Sequence, residues 1–301
     1  MFNYPVEQKS YNLGKYSIGG DPRSTRTAMV GTIFYYGQKK IFIDEKKGII
    51  DKEYAETLIK KQEEMADKTG LVPCLDVIFS FEDAIKPLLD FVLDITDCPI
   101  FFDPPTFITK KPALRYLNEI GIYDRIIYNS ITPDSYDEEY KLLSDSKIEH
   151  FVLLAIESKY WTTLARLDVI ERMISKAKTS GFLTDNFLID TCVLDFTSIG
   201  LAMSAMEKVK KKYGYPVGTA GHIVVDTWRN LKNKFGDVRK IIDVVASAIT
   251  LGSGADFVMY GPIQNADIMF PSVAFVKAAH SQLMFDEGKI PPENHPVFKI
   301  G

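Results

Sequence analysis

The chain has 301 residues, 46% hydrophobic and 25% charged, an ordinary globular composition with ample core for one large barrel or two α/β domains. A net charge of −4 supplies no basic surplus for nucleic acid or an anionic membrane. There is no positively charged apolar leader and no apolar run of the roughly 18 residues a membrane helix needs, and the three scattered cysteines fit reduced thiols, so a cytoplasmic protein is expected.

In chain order, residues 1–27 read as an irregular or short β segment rich in Gly and Tyr, and AMVGTIFY (28–35) as the first buried strand. A charged connector follows. The spacing over 51–70 predicts a helix with Tyr54, Leu58 and Met65 on one side and Gly70 as its stop. Strand PCLDVIF (73–79) precedes a helix over 82–96 with Pro87 in its first turns. Strands at 99–103, 125–131 and 150–156 alternate with helices over 110–121, 134–146 and 163–181. NFLIDTCVLD (186–195) reads as a strand leading into a loop, then a helix over 199–213. A short strand and loop at 216–222, a helix over 238–251, a strand at 256–263 and a final helix over 271–285 complete the set. The tail beyond Gly288, with three prolines, reads as an extended surface segment.

Eight strand–helix pairs in regular alternation, undivided by any linker or composition shift, predict an α/β fold: a single (β/α)8 TIM barrel over residues 1–301. Four of the apolar runs end in one short polar side chain: Asp76, Asp103, Asn129 and Asp190, at the ends of strands 2, 3, 4 and 6. Parallel strands buried on both faces look like this, with a polar residue only where the strand emerges. Short acids and an amide on rigid strands form a ring of hydrogen-bonding groups at the barrel mouth. Such a ring suits a pterin or guanine-like heterocycle. That ligand presents an N–H and an exocyclic NH2 to a carboxylate, and a carbonyl and ring nitrogens to an amide. The bland alternative for any one of these acids is a helix cap or a bond to loop amides.

The sequence LD (75–76), FD (102–103), YNS (128–130) and LID (188–190) resembles the pterin-binding methyltransferases that work with corrinoid proteins, barrels related to dihydropteroate synthase. VGTIFY (30–35), KGIIDKEYAETLIKKQEEMADKTG (47–70), RIIYNSITPDS (125–135), DTCVLDFTSIGLA (190–202) and ADFVMYGPI (255–263) narrow this. They resemble the H subunit of tetrahydromethanopterin S-methyltransferase, in a group that includes bacterial tetrahydrofolate methyltransferases of glycine betaine and related amine metabolism. The resemblance implies that Asp103, Asn129 and Asp190 contact the pterin, with Asp76 a further acid at the pocket. Two positions depart from it. DPPT (103–106) stands where related folate enzymes often read DSTN. GTAGHIV (218–224) stands where they carry an Asn near N5, which makes His222 a candidate partner for N5 beside Asn129.

What the resemblance implies is methyl transfer between a methyl-Co(III) corrinoid protein and N5 of tetrahydrofolate. The alternative is the same reaction with tetrahydromethanopterin inside a larger complex, or a non-catalytic subunit of one. The cobalamin would be carried by a corrinoid protein docking at the barrel mouth, and a homodimer is expected. A basic anion pocket for dihydropteroate synthesis is absent from the seventh-strand loop, although Arg229 lies a little beyond it. Cys74 and Cys192 each lie two residues from a ring acid, but no paired Cys-x-Cys or His-x-Cys spacing supports zinc, and no metal is expected. Lys110 and Lys111 read as a solvated helix start or as contacts for a folate's anionic tail, and the lysines of 208–212 as complements to a helix dipole.

Overall fold

The computed structural model describes residues 1–156 and 161–301. Its centre is a closed barrel of eight parallel strands: β1 (Ala28–Ile33), β2 (Val72–Ile78), β3 (Ile100–Asp103), β4 (Ile126–Ile131), β5 (His150–Leu154), β6 (Asn186–Asp190), β7 (Val217–Ala220) and β8 (Phe257–Pro262). The ring closes between β8 and β1, where Phe257 pairs with Ala28. Around it lie α1 (Lys52–Thr69), α2 (Glu82–Ile95), α3 (Phe107–Ile120), α4 (Asp137–Ser144), α5 (Thr163–Thr179), α6 (Ile199–Lys212), α7 (Arg239–Leu251) and α8 (Ala266–Asp286).

Alternation along each strand divides the side chains between two cores. Val30, Cys74, Phe101, Ile127, Val152, Leu188 and Phe257 fill the interior. Their neighbours Met29, Leu75, Phe102, Tyr128 and Phe151 face the helices. An N-terminal hairpin, Ser10–Leu13 with Tyr16–Gly19, puts Tyr11, Leu13 and Ile18 into the interior cluster and so plugs the amino-terminal end of the barrel. With that end filled, the strand carboxyl ends are the open face.

Local chemistry explains several boundaries. Asp51 caps α1 by accepting the Tyr54 N–H, and Gly70 ends it at φ 74°. The buried stripe of α1 is Ala55, Ile59, Gln62 and Ala66, one position round from the expected Tyr54, Leu58 and Met65, which are only partly covered. Gln62 belongs on that stripe because it donates to the Cys74 carbonyl and accepts the Tyr260 hydroxyl.

Several expectations need correction. Two short helices, Ile223–Thr227 and Leu231–Phe235, occupy a stretch that no periodicity marks. Helix α8 starts at Ala266 rather than Pro271; the proline sits in its second turn on the exposed side. The tail is not a loose surface segment: His295 and Pro296 are buried, and the tail backbone packs over Gly70. Lys210, which reads as a dipole complement, is fully buried in an ion pair with Asp256.

Candidate active site

The inward parity of the strands carries a polar layer at their carboxyl ends. Asp76, Asp103, Asn129 and Asp190 all belong to it, joined by Thr32 on β1; Thr219 on β7, in register with the helix-facing Val258, reaches it through the bond of its hydroxyl to Asp190. Nothing in the sequence singles out the two threonines, because a β-branched residue near a strand end reads as an ordinary strand former.

Asp76 is buried and already engaged at both oxygens. Thr32 donates its hydroxyl to Oδ2 at 2.9 Å, and the Asn129 amide donates to Oδ1 at 3.1 Å. Its carboxyl therefore fixes the orientation of Asn129. Burial pushes the Asp76 carboxyl up to about 6, against the two hydrogen bonds that favour the charged form.

Asp190 is held differently. Its Oδ1 accepts the Cys192 backbone N–H at 2.8 Å and the Thr219 hydroxyl at 2.9 Å. Among the described residues nothing donates to Oδ2. The loop that makes this possible is pinned by Arg166, which donates to the carbonyls of Thr191 at 2.8 Å and Cys192 at 3.1 Å. Cys192 adopts φ 61°, a left-handed conformation that turns its N–H back toward the acid. Burial raises the Asp190 carboxyl to about 6, opposed by those bonds and by Arg166.

Asp103 has no donor to its carboxylate among the described residues. The DPPT departure explains this. An Asp at a strand end normally turns back onto the N–H two residues on, as Asp190 does. Pro104 and Pro105 carry no N–H, so that bond is impossible here. Thr106 then caps α3 in a reciprocal capping box with Thr109. Desolvation and the nearby Asp76 charge raise the Asp103 carboxyl well above its usual range, opposed by Lys110.

Lys110 does not face a ligand tail or solvent. It is buried against Glu139 at 2.7 Å, and Tyr128 donates to the same carboxylate oxygen at 2.9 Å. Lys111 makes the exposed pair with Glu138.

His222 lies just past β7, with Nδ1 3.2 Å from the Met259 carbonyl of β8. Its ring packs on Gly261, which sits at φ 76°; a Cβ there would lie 2.8 Å from His222 Cγ. Burial lowers the His222 pKa, which favours the neutral ring. With Nδ1–H donated to the carbonyl, Nε2 is a hydrogen-bond acceptor.

The three cysteines are free and buried, Cys74 inside the barrel. Among the described residues no group of three or more His, Cys, Asp or Glu is placed to hold a metal ion. Nor is any helix among them long and apolar enough to cross a membrane.

Residues 6–290 match the family model described as tetrahydromethanopterin S-methyltransferase MtrH subunit. The chain is 34% identical over 312 residues to the H subunit of tetrahydromethanopterin S-methyltransferase from Methanothermobacter thermautotrophicus, covering 100% of both chains. It is 33% identical over 321 residues to the same subunit of Methanocaldococcus jannaschii, again covering 100% of both. It is 34% identical over 319 residues to that of Methanopyrus kandleri, covering 99% of each. Among solved structures, dihydropteroate synthase from Coxiella burnetii in complex with pteroic acid superposes with a TM-score of 0.64 at 14% identity, covering 91% of this chain and 99% of that one. A Yersinia pestis dihydropteroate synthase with a sulfonamide drug gives 0.65 at 11% identity, covering 91% and 100%. These two likenesses show the fold, an eight-stranded barrel like that of the dihydropteroate synthases.

Proposed function

This chain belongs to the MtrH family, the H subunits of tetrahydromethanopterin S-methyltransferase, and on that premise we propose that it binds a reduced pterin at its barrel mouth and transfers a methyl group between the pterin N5 and a corrinoid carried by a partner protein. The observation that carries this reading is the pair of uncommitted acceptors. The Asp103 carboxylate and Asp190 Oδ2 lie in one polar layer with an Asn129 amide oriented by Asp76. Acceptors aimed by rigid strands match a ring edge that offers an N–H beside an NH2.

The corrinoid supplies the cobalt that carries the methyl group. The chain's own residues hold and align the pterin so that N5 meets the methyl carbon, the positioning work that dominates a displacement of this kind. Asn129 contacts the pterin near N5. Asp76 acts through Asn129 by holding its amide in place. His222, neutral and with Nε2 an acceptor, shapes the N5 side of the pocket rather than delivering a proton.

The pterin proposed is tetrahydromethanopterin, which the names of the relatives carry, and the setting is a multi-subunit methyltransferase. Tetrahydrofolate, the pterin expected from the sequence, draws no support from those relatives, and neither does a link to quaternary amines. Supplying the protein with methylcobalamin and each reduced pterin tests the proposal: methylated tetrahydromethanopterin should form, faster than methylated tetrahydrofolate. If neither forms, even with a cognate corrinoid protein present, the activity is wrong.

A pH dependence follows. A carboxyl whose folded pKa lies above its unfolded value binds its proton more tightly when folded. It therefore adds stability as pH falls through about 6 toward the ordinary carboxylate range, and that contribution is lost as pH rises through about 6. Pterin binding needs the ionised form and has the opposite trend. Pterin affinity should fall below pH ~6, while the stability of the ligand-free protein relative to Asp190→Asn should increase. Urea titrations and calorimetry at several pH values check both signs. Parallel falls in both quantities would contradict the assignment.

A further inference from the structure

The stretch after β7 builds a second feature at the same end of the barrel. Its two short helices, Ile223–Thr227 and Leu231–Phe235, enclose a cleft of about 350 Å³ lined by Asp226, Trp228, Arg229, Lys232, Asp237 and Arg239 among others. Arg239 is spent on an ion pair with Asp226. Arg229 and Lys232 are exposed and have no ion-pair partner among the described residues. Trp228 is fixed in place. It stacks on Phe196 of the loop after β6, with centroids 5.0 Å apart and planes at 15°. Phe235 meets it edge-on at 5.9 Å. Of the three rings Trp228 lines the cleft, and Phe196 and Phe235, which flank it, remain 40% and 51% exposed, so the aromatic ridge has room beside it for a further ring.

The position of this cleft relates it to the polar layer. Asp190 and Thr219 are hydrogen-bonded at the ends of β6 and β7, and the loops that carry Phe196 and Trp228 continue from those two strands. A heterocycle seated on Asp190 therefore lies beside the start of the cleft. A group that extends from that heterocycle over the loops after β6 and β7 runs toward the segments that carry Phe196, Trp228, Arg229 and Lys232.

We infer that the cleft between the two short helices is a subsite for the tail of the pterin substrate, its aromatic ridge taking the aryl ring and Arg229 and Lys232 taking the anionic oxygens. This rests on the pterin reading of the barrel mouth. The shared chemistry is an aryl ring followed by anions, carboxylates on tetrahydrofolate and carboxylates with a phosphodiester on tetrahydromethanopterin. A planar guanidinium can hold either anion in a forked geometry, and a lysine adds a point charge. Arg229, Lys232 and Arg239 against Asp226 and Asp237 leave the cleft one net positive charge on a chain whose net charge is −4, so the excess is local rather than part of a general basic surface.

Calorimetric titration with three probes tests this: tetrahydromethanopterin, tetrahydrofolate, and 6-methyltetrahydropterin, which has the ring and no tail. Wild type should bind both tailed pterins more tightly than the ring alone, and raising the ionic strength should shrink that advantage. The Arg229→Ala/Lys232→Ala variant should lose roughly ten-fold in affinity for the tailed pterins, each exposed contact being worth up to about five-fold. Its affinity for the ring alone should not change, and Arg229→Lys/Lys232→Arg should recover most of the loss. A larger loss for tetrahydromethanopterin than for tetrahydrofolate would identify the phosphodiester as the group held; equal losses would identify the carboxylates. Undiminished preference for tailed pterins in the alanine variant would overturn the subsite. So would intact pterin affinities with impaired methyl transfer from a corrinoid protein, which would make the cleft a docking surface. Failure of wild type to bind the ring alone or either tailed pterin would strike the pterin reading itself.

Discussion

Asp190→Asn is expected to weaken pterin binding by about a hundredfold or more, although the substitution preserves shape. Two groups, the Cys192 N–H at 2.8 Å and the Thr219 hydroxyl at 2.9 Å, both donate to Oδ1. An asparagine satisfies them only with its carbonyl oxygen, which turns its NH2 toward the mouth. There the ligand's N–H and NH2 also donate, so an acceptor facing donors becomes a donor facing donors. Each charge-assisted bond lost is worth about 1.5–3 kcal/mol, and the unpaired ligand groups add a desolvation cost. Asp190→Ala should do at least as much harm, because it also strands the Cys192 N–H and the Thr219 hydroxyl. Thr219→Val keeps the carboxylate and releases one of its restraints, so its effect should be only several-fold. Titration of each variant with tetrahydromethanopterin, with circular dichroism as a check on folding, measures the series. Unchanged affinity in Asp190→Asn would remove Asp190 from the binding site. Equal losses in Asp190→Asn and Thr219→Val would mean that rigidity, not the carboxylate, is what matters.

The barrel itself is legible because each buried parallel strand leaves an apolar run, and a polar residue closing such a run marks its exit from the core. Asp103 and Asp190 look alike by that rule and differ in what holds them. The distinction is present in the sequence, since DPPT has no N–H to offer and DTC does. It becomes visible only once Cys192 is placed at φ 61° with its amide directed at the acid. Asp76 falls among the expected ligand contacts because position along a strand says nothing about partners. Thr32 and Asn129 each engage one of its oxygens through bonds spanning 44 and 53 residues, which no local pattern encodes. The helices after β7 are illegible for a different reason. Each has five residues, too few to show a period; the first is held by Val224 packing with Val193, Ala202 and Ala246, and the second by Phe235 meeting Trp228 edge-on, rather than by propensity. The prolines of the tail suggest a loose end, but proline forbids regular hydrogen bonding, not burial, and His295 is fully enclosed.

Asp256→Ala is expected to cost about 3–5 kcal/mol of stability while leaving the chemistry of the folded fraction intact. At the plugged end of the barrel, Lys210 is fully buried and donates to Asp256 Oδ2 at 2.8 Å and Oδ1 at 3.1 Å. The same carboxylate accepts the Val217 N–H at 2.9 Å, and so also ties down the start of β7. Lys277 is buried nearby, bonded to the Pro22 carbonyl. Burial lowers its pKa to about 8, with Asp256 opposing the fall and Lys210 adding to it. Removing Asp256 leaves two buried ammonium groups without a carboxylate between them. The sign of the pH dependence follows from linkage. A lysine whose folded pKa is depressed binds protons less well folded than unfolded, so stability rises with pH between about 8 and the ordinary lysine range. Loss of the carboxylate depresses the folded value of Lys277 further, so the deficit of Asp256→Ala should be largest near neutrality and shrink as Lys277 neutralises. Urea unfolding of wild type and variant across that range measures it. A deficit below about 1 kcal/mol at neutral pH would show that water reaches Lys210 and that the pair is not a buried charge. Because this end of the barrel faces away from the polar layer, pterin affinity in the folded variant should match wild type. A matching loss of affinity would instead show that the base of β7 positions Thr219, and through it Asp190.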